Sequence, residues 1–540
     1  MEETQGVFIR RASGLVRDMS PTQLIFFNFL TQGIWPGVAL AFTQNPVTFS
    51  GENVAVGLAI IAVLGTAFFI AYSIVYSAFP RVGTDYVFQS RVLTPAIGFA
   101  SAMTAWVIYQ FWYVAFYEVD VINTFIAPWL TALSYSTSNQ YFASLATSLS
   151  QVPNLLAFSF IAVVLTGAIL MGGLRAYVKV QTALMILSSL SFVIIIALLI
   201  GTSNASFVSN FNAYMSSSLG KTDSYNYLIS SAQQAGYNLS PPFSLYATMG
   251  AMILPWIFAL EWPVFGNLSL GGETQSADRL KTQALSMLVP FYMGIVAWGV
   301  VWYLFVGMVG ERFWNAVSYL TWNASSVVAN VPSALYFPFV VAIGTNNPWM
   351  TGLFSITASI MIMCANFTIF IVCTRMIFAM TFDRLFPKRI ADISRRTRAP
   401  VYALLVIVVI SLLWVVGVLY YGTTLSSWFG SVQVQISFTQ ILTMVGALLF
   451  RKRLKHLYEQ SAAARHRVAL IISAVIGIGF TLMIIYYMLA IPALYASLPQ
   501  SEALILVLFL ASIGYYYGVR LYRRRTSIDI ALAFKEIPPS

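Results

Sequence analysis

The chain has 540 residues, of which 59% are hydrophobic and 9% are charged, and its formal net charge is +11. A soluble domain averages about 25% charged residues, and apolar runs of about 18 residues or more indicate membrane-spanning helices. The composition therefore excludes a soluble protein and predicts an all-α polytopic membrane protein, with residues 1–540 forming a single membrane domain. The positive charge then marks membrane topology and contact with the lipid bilayer, and nucleic acid is not expected as a partner.

Twelve apolar stretches are each long enough to cross a bilayer. In chain order they are predicted at 22–43, 54–80, 95–127, 153–173, 177–201, 245–270, 282–309, 350–380, 400–421, 425–450, 467–491 and 501–522. Met1–Ser20 lacks the apolar core of a signal peptide, although it carries Arg10, Arg11 and Arg17. With the termini inside, only Lys221 and Arg312 of the 29 Lys and Arg fall in outer loops. Both termini are therefore predicted to be cytoplasmic, and the protein is placed in the cell membrane.

The first span contains Trp35-Pro36-Gly37. Proline has no amide to donate to a helix, and an unpaired backbone group in lipid costs about 2–7 kcal/mol. A broken helix is tolerated mainly where protein or a water-filled cavity satisfies the freed groups. Pro36 is expected to begin an outer half-helix whose free amides favour an anionic group. The residues proposed here for substrate binding are Gly33, Ile34, Trp35, Gly37 and Val38.

The third span carries a stripe of aromatic residues together with two acidic residues, Glu118 and Asp120. Aromatic faces attract an ammonium group, although such a stripe also serves packing. The substrate-binding candidates on this span are Trp106, Tyr109, Gln110 and Tyr113. Glu118 and Asp120 point about 200° apart on a helix, and Glu118 is the deeper of the two. Glu118 is therefore a candidate for proton coupling.

The sixth span contains Glu261-Trp262-Pro263, and Pro263 is expected to begin an inner half-helix. Carbonyls left behind by this break favour a cation or an ammonium group. A carboxylate at this depth costs about 3 kcal/mol or more and is usually functional. Glu261 is the second candidate for proton coupling, and a protonated structural role is the alternative. The substrate-binding candidates are Ile257, Ala259, Leu260, Glu261 and Trp262.

The two Trp-Pro pairs open two possible five-helix units of opposite direction. The first unit is predicted at 22–201 and the second at 245–450, and 467–522 supplies two additional helices. This arrangement is typical of an inverted repeat whose breaks meet near the middle of the bilayer and form a binding site. A merely kinked helix at each proline is the alternative.

No metal centre or cofactor is predicted. The two histidines, His456 and His466, lie in an inner loop, which argues against a haem centre with axial histidines. Thr31, Asn366 and Thr368 are weak candidates for a sodium site, and hydrogen bonds to the helix backbone are the more ordinary use of such side chains.

Three segments resemble the amino acid–polyamine–organocation superfamily. Ala78–Phe88, which reads AFPRVGTDYVF and precedes Gly98-Phe99, resembles the FPRxGGxYxY pattern followed by GF. Arg375–Met380, Asp383–Lys388 and Arg398–Val401 are similar to the RxxxAMARDGLLP…TP segment. Gly272-Glu273 and Asp278-Arg279 resemble the GE…NPxR ending of the sixth span.

The resemblance implies a leucine-transporter-like fold, with a 5+5 inverted repeat and two extra C-terminal helices, and alternating-access transport of amino acids or amines. It also implies that the break from Gly33 to Gly37 offers amides to a substrate carboxylate, with the matching break at about Ala259 to Pro263. The chain departs from the pattern at Trp35 and Pro36, and at Glu261-Trp262-Pro263. Lys179 lies at the inner end of the fifth span, so a lysine in place of sodium is not expected.

The predicted function is therefore a secondary active transporter of amino acids, proton-coupled through Glu118 or Glu261, and not an enzyme. A transporter of polyamines or other organic cations is the alternative that the acids and aromatics favour. A substrate sensor without transport is an alternative of another class. The small-molecule substrate is an amino acid or an amine, and the sequence identifies no protein partner.

Overall fold

A computed structural model describes residues 17–329, 336–494, 498–525 and 530–536. Arg10, Arg11 and both chain termini, on which the predicted orientation partly depends, lie outside these residues. The described residues are predominantly helical and contain one isolated β-bridge, between Met19 and Thr274. The all-α class is therefore confirmed for the described part of the chain.

The first part of the chain forms ten helices, several of which begin at a polar side chain that caps free amides. Ser20 and Gln23 form a reciprocal capping box at the start of the first helix, and Asn53 caps the third. The helices are α1 (Pro21–Leu30), α2 (Ile34–Thr48), α3 (Val54–Ala78), α4 (Thr84–Val92), α5 (Pro95–Met103), α6 (Gln110–Asp120), α7 (Ala127–Thr137), α8 (Gln140–Leu149), α9 (Val152–Met171) and α10 (Leu174–Ile200).

The described residues from Asn204 onward add fifteen α-helices, including four in the two long loops that precede the sixth and eighth predicted spans. They are α11 (Asn204–Leu219), α12 (Ser224–Gln234), α13 (Leu245–Ala251), α14 (Ile253–Pro255), α15 (Pro263–Leu270), α16 (Leu280–Val309), α17 (Glu311–Asn323), α18 (Phe337–Thr345), α19 (Pro348–Phe382), α20 (Val401–Phe429), α21 (Val432–Arg453), α22 (Lys455–Gln460), α23 (Ala462–Arg465), α24 (Arg467–Ala490) and α25 (Pro499–Arg525).

Eleven helical segments among the described residues are long and apolar enough to cross a membrane. Each overlaps one of the twelve predicted spans. The predicted third span, 95–127, is the one not included; its path is divided among α5, α6 and α7, with π turns at Thr104–Ile108 and Val121–Ile126. The count of twelve and the inverted repeat therefore stay predictions.

Burial separates the interior spans from the peripheral ones. The most apolar windows of Pro21–Thr48 and Leu245–Leu270 are 83% and 94% buried, whereas that of Pro499–Arg525 is 11% buried. Lipid solvates an apolar surface, so a peripheral helix needs no protein cover. The two spans with Trp-Pro pairs therefore lie inside the bundle, where neighbouring helices can satisfy an interrupted backbone.

The motif residues of the sequence tie the helices together at one end of the bundle, which we call the basic side because Arg81, Arg91 and Arg375 lie there. Arg91 of α4 makes a bidentate pair with Asp383, at 2.7 and 2.9 Å. Arg375 of α19 pairs in the same way with Glu273, at 2.8 and 3.1 Å. Both pairs are buried, so removing one partner would leave an uncompensated charge. The motifs therefore have a structural role in this chain.

Candidate functional site

The first interruption lies at Thr31–Gly33, between α1 and α2. The amide of Ile34 turns back to the carbonyl of Gln32 at 2.8 Å, and the amide of Gly37 reaches the carbonyl of Gly33 at 3.1 Å. The outer half-helix therefore begins at Ile34, and the expectation that Pro36 begins it is wrong by two residues. Pro36 is instead the third residue of α2, within the first turn, where a missing amide leaves no intrahelical bond unmade.

The second interruption is a change in helix winding rather than an open break. Trp256–Leu260 forms a π turn, and Glu261 and Trp262 keep right-handed helical dihedrals before α15 begins at Pro263, as predicted. Pro263 has no amide for the carbonyl of Ala259, which instead accepts from the amide of Trp262 at 3.2 Å. π turns occur frequently at functional sites.

The backbone groups at this second turn are largely used within the protein. The indole of Trp262 donates to the carbonyl of Ile257 at 2.9 Å. The amides of Val264 and Phe265 donate to the carbonyls of Glu261 and Trp262, at 3.1 and 2.9 Å. The first amides of α15 and the carbonyls of Ile257 and Ala259 are therefore bonded within the protein, so the expectation that carbonyls left behind by this break are free for a cation is wrong for these two.

The two interruptions face one another at close range. A Cβ atom added to Gly33 would lie 2.5 Å from the carbonyl oxygen of Phe258 and 2.8 Å from the hydroxyl oxygen of Tyr117. One added to Gly37 would lie 2.9 Å from both Phe258 Cβ and a ring atom of Trp298. Glycine is therefore required at both positions by the approach of the second helix, and Ile34 and Val38 are buried beside them.

Aromatic rings enclose the meeting point, and we call this group the aromatic cage: Tyr113, Tyr117, Phe258 and Trp262. The rings of Tyr113 and Tyr117 are stacked at 5.9 Å, and Trp262 lies 5.9 and 5.8 Å from them. All four residues are buried. Centroid separations of this size are favourable aromatic contacts, so the cage closes the centre of the bundle in this structure.

Glu261 has no exposed surface, and the hydrogen-bond donors around it are two side-chain amides and the nearby indole of Trp256. Gln433 and Gln440 of α21 each donate to Glu261 Oε2 at 3.1 Å, while Oε1 has no hydrogen-bond partner. A buried carboxyl group without full pairing is costly. The free oxygen therefore marks Glu261 as a group able to bind a proton or a cationic ligand.

Glu118 lies on another face of α6 and points to α19. Its Oε1 accepts from the side-chain amide of Asn366, and its Oε2 has no partner. Of the proposed sodium ligands, Asn366 is thus engaged by Glu118, and the hydroxyl of Thr31 donates to the carbonyl of Phe27 at 2.7 Å. Thr368 has a buried hydroxyl without a partner. These bonds do not link the three proposed ligands to one another.

Four predicted binding residues direct their side chains away from the cage. The indole of Trp35 donates to Ser191 at 2.9 Å and its ring stacks on Phe192 of α10 at 4.7 Å. Trp106 donates to Asp85 at 3.2 Å. The ring of Tyr109 packs against that of Phe429, and the side-chain amide of Gln110 donates to the carbonyl of Ala105. Leu260 packs against Gly294, and Ala259 contributes backbone.

The sequence analysis missed four residues of the site: Tyr117, Phe258, Gln433 and Gln440. Tyr117 is one turn after Tyr113 and so shares its face, which is a signal that the sequence does contain. The two glutamines reach Glu261 from 172 and 179 residues away. Their polarity inside an apolar span is visible in the sequence, but their partner is not.

Comparison with known protein families identifies the family to which the chain belongs. A family model described as amino acid permease matches residues 25–513, which includes both interruptions and the third predicted span. The chain belongs to the amino acid permease family. Among curated proteins no sequence matches the chain. Family membership identifies the permease as a multi-pass membrane protein that transports a small molecule, and it indicates a transporter rather than an enzyme.

Proposed function

We propose that this permease is a secondary active transporter that moves amino acids across the cell membrane by alternating access, coupled to protons. The observation that supports the proposal most is the close approach of Gly33 to the carbonyl of Phe258 and the hydroxyl of Tyr117, because it brings the two interruptions together beside the aromatic cage. Discontinuous helices that meet at mid-membrane are a recurring way to build such a site. The 5+5 repeat and the cytoplasmic termini are parts of the same proposal.

The substrate carboxylate is assigned to the turn at Thr31–Gly33 and the first amides of α2. The first amides of α15 donate to Glu261 and Trp262, and those of Thr31, Gln32, Ile34 and Gly37 are likewise bonded, so the assignment rests on the amides of Gly33 and Trp35. The substrate amino group is assigned to Glu261 Oε1, and Glu261 lies within electrostatic range of Tyr113 and Tyr117 of the cage. Opening requires Tyr117 and Trp262 to move apart.

The coupling proton is assigned to Glu261 in preference to Glu118. Glu261 lies on the interrupted helix itself, one turn beyond the carbonyl that Gly33 approaches. Glu118 is joined to Asn366, on a helix that α6 packs against. A ligand shifts a conformational equilibrium only by its differential affinity for the two states, and a carboxyl group in the moving helix provides such a difference for a proton.

A transporter of polyamines or other organic cations is the second candidate. The observation that favours it is the combination of Glu261 Oε1 without a partner and a cage of aromatic faces, both of which stabilise a cation. An amine without a carboxylate would use this half of the site and leave the turn at Thr31–Gly33 unused.

Counterflow in proteoliposomes tests the proposal. Proteoliposomes that contain the permease are loaded with one unlabelled amino acid or amine. Uptake of the labelled compound is then measured in the presence of neutral amino acids, arginine or putrescine as competitors. Uptake competed by neutral amino acids is the expected result. Competition by putrescine alone would support the organic-cation candidate, and the absence of counterflow with every class would contradict transport.

A further inference from the structure

Asp85 is a buried carboxyl group that the proposed transport mechanism does not use. It is the second residue of α4, outside the apolar spans, and it has no exposed surface. The hydroxyls of Tyr76 and Thr443 donate to Oδ1 at 2.9 and 3.1 Å, and the indole of Trp106 donates to Oδ2 at 3.2 Å. The group is thus solvated by three neutral donors from three helical segments.

The buried charged groups on the elements around α4 form two ion pairs, whereas Arg451, Lys452 and Arg453 at the end of α21 are exposed. Asp383 is held by Arg91, and Arg375 by Glu273. The described titratable group that touches Asp85 is Tyr76, and Tyr72 and then Glu261 lie beyond it. Lys535 lies at the surface, on the short Ile530–Lys535 helix that packs against α4. Burial raises the pKa of Asp85 to about 7, although the hydrogen bonds from Tyr76, Thr443 and Trp106 lower it.

Polar side chains of one helix, α21, reach both Asp85 and Glu261. Gln440, which donates to Glu261, and Thr443, which donates to Asp85, are three residues apart and so lie on one face of α21. Across from them, the hydroxyl of Tyr72 is near the hydroxyl of Thr443 and within electrostatic range of both carboxyl groups. Its ring packs on that of Tyr76 at 5.1 Å.

The direction of this connection is from the centre of the bundle to the basic side. Asp85 follows Arg81 by four residues and shares α4 with Arg91. The side chain of Arg91 in turn reaches the carbonyl of Glu536, in the described C-terminal segment. The positive-inside rule makes this the cytoplasmic end.

We propose that Asp85 is the inward proton acceptor of the transport cycle. The proton that leaves the carboxyl group of Glu261 passes by the hydroxyls of Tyr72 and Thr443 to the carboxylate of Asp85, and Asp85 then releases it to water on the basic side. One proton enters and one proton leaves, and no other species is consumed. The inference rests on proton coupling as set out under the proposed function.

The test separates proton release from substrate exchange. Asp85→Asn keeps an oxygen that accepts from Tyr76 and Thr443 but cannot carry the proton. In proteoliposomes we expect it to retain counterflow at equal pH within about threefold of the wild type. We expect accumulation driven by a pH gradient to fall at least tenfold, and Asp85→Glu to restore most of it. Asp392→Asn is the matched control, because Asp392 is exposed.

Gradient-driven accumulation by Asp85→Asn at the wild-type rate would overturn the inference. If Asp85→Asn shows no counterflow, Tyr72→Phe decides instead, since it removes the linking hydroxyl and keeps the ring. Slower gradient-driven uptake with normal counterflow supports the inference, and unchanged gradient-driven uptake overturns it. A wild type that exchanges substrate but never responds to a pH gradient would instead contradict the proposed proton coupling itself.

Discussion

The two Trp-Pro pairs of this chain look alike in sequence and differ in structure. At the first, the backbone leaves the helix over Thr31–Gly33, and the tryptophan packs outward against α10. At the second, the backbone stays helical through a π turn, and the tryptophan folds back to donate to Ile257 and to complete the aromatic cage. The same dipeptide can therefore open a helix or only rewind it, and the neighbouring residues determine which occurs.

The position of glycine explains much of this difference. Gly33 permits the carbonyl of Phe258 to approach within a distance that a side chain would block. The backbone of the first helix can therefore be interrupted where the second helix packs against it. The second helix has no glycine between Ala251 and Pro263, and its missing proline bond is replaced by the amide of Trp262. The first interruption thus supplies backbone to the site, and the second supplies side chains.

The largest effect is expected from Gly33→Val. The added side chain would meet the carbonyl of Phe258 and the hydroxyl of Tyr117, and overpacking of this kind costs about 1–3 kcal/mol or forces the helices apart. Uptake should fall below a tenth of the wild-type rate. Gly307→Val in α16 is the matched control, since nothing lies within 4 Å of a Cβ atom there. Equal uptake by both variants would show that the two interruptions need not touch.

The next effect is expected from Glu261→Gln, which keeps the shape of the second interruption and removes its titratable group. Substrate binding should weaken at least tenfold or lose its dependence on pH, as measured by a binding isotherm at two pH values. Glu459→Gln is the control, because that side chain is 56% exposed. Unchanged affinity together with an unchanged pH response would remove Glu261 from the mechanism.

Replacing each tryptophan by phenylalanine compares the two regions directly. Trp262→Phe removes the bond to Ile257 and shrinks the cage, so substrate affinity should fall about tenfold. Trp35→Phe removes the bond to Ser191 and shrinks a buried ring that lies away from the cage, so it should lower the free energy of unfolding by about 1–3 kcal/mol and leave affinity unchanged. The reverse pattern, with Trp35 governing affinity, would contradict the assignment of the cage.

The smallest effect concerns Glu52, in the loop that follows α2. Burial, and next the charge of Glu311, raise the pKa of Glu52 from an ordinary 4.5 to about 8. The folded protein therefore holds this proton more tightly than the unfolded chain, and stability should fall as the pH rises from about 4.5 through 8. Glu52→Gln should flatten the pH dependence of the melting temperature. An unaltered profile would contradict a protonated Glu52.

Elements with a local cause were predictable from the sequence. The apolar spans, the start of α15 at Pro263 and the central position of both interrupted helices follow from hydropathy and from proline geometry. The start of α2 was placed two residues late, because the break depends on how closely Phe258 approaches Gly33. The side-chain direction of Trp35 and the two glutamines at Glu261 depend on contacts between distant spans, which no local pattern encodes.

The most direct test of the central claim is a cryo-electron-microscopy map of the permease in lipid nanodiscs, with the amino acid that competes best in counterflow. The account predicts ligand density between the turn at Thr31–Gly33 and the cage residues Phe258 and Trp262, with its amino group within hydrogen-bond distance of Glu261. Ligand density that contacts neither interruption would contradict the account.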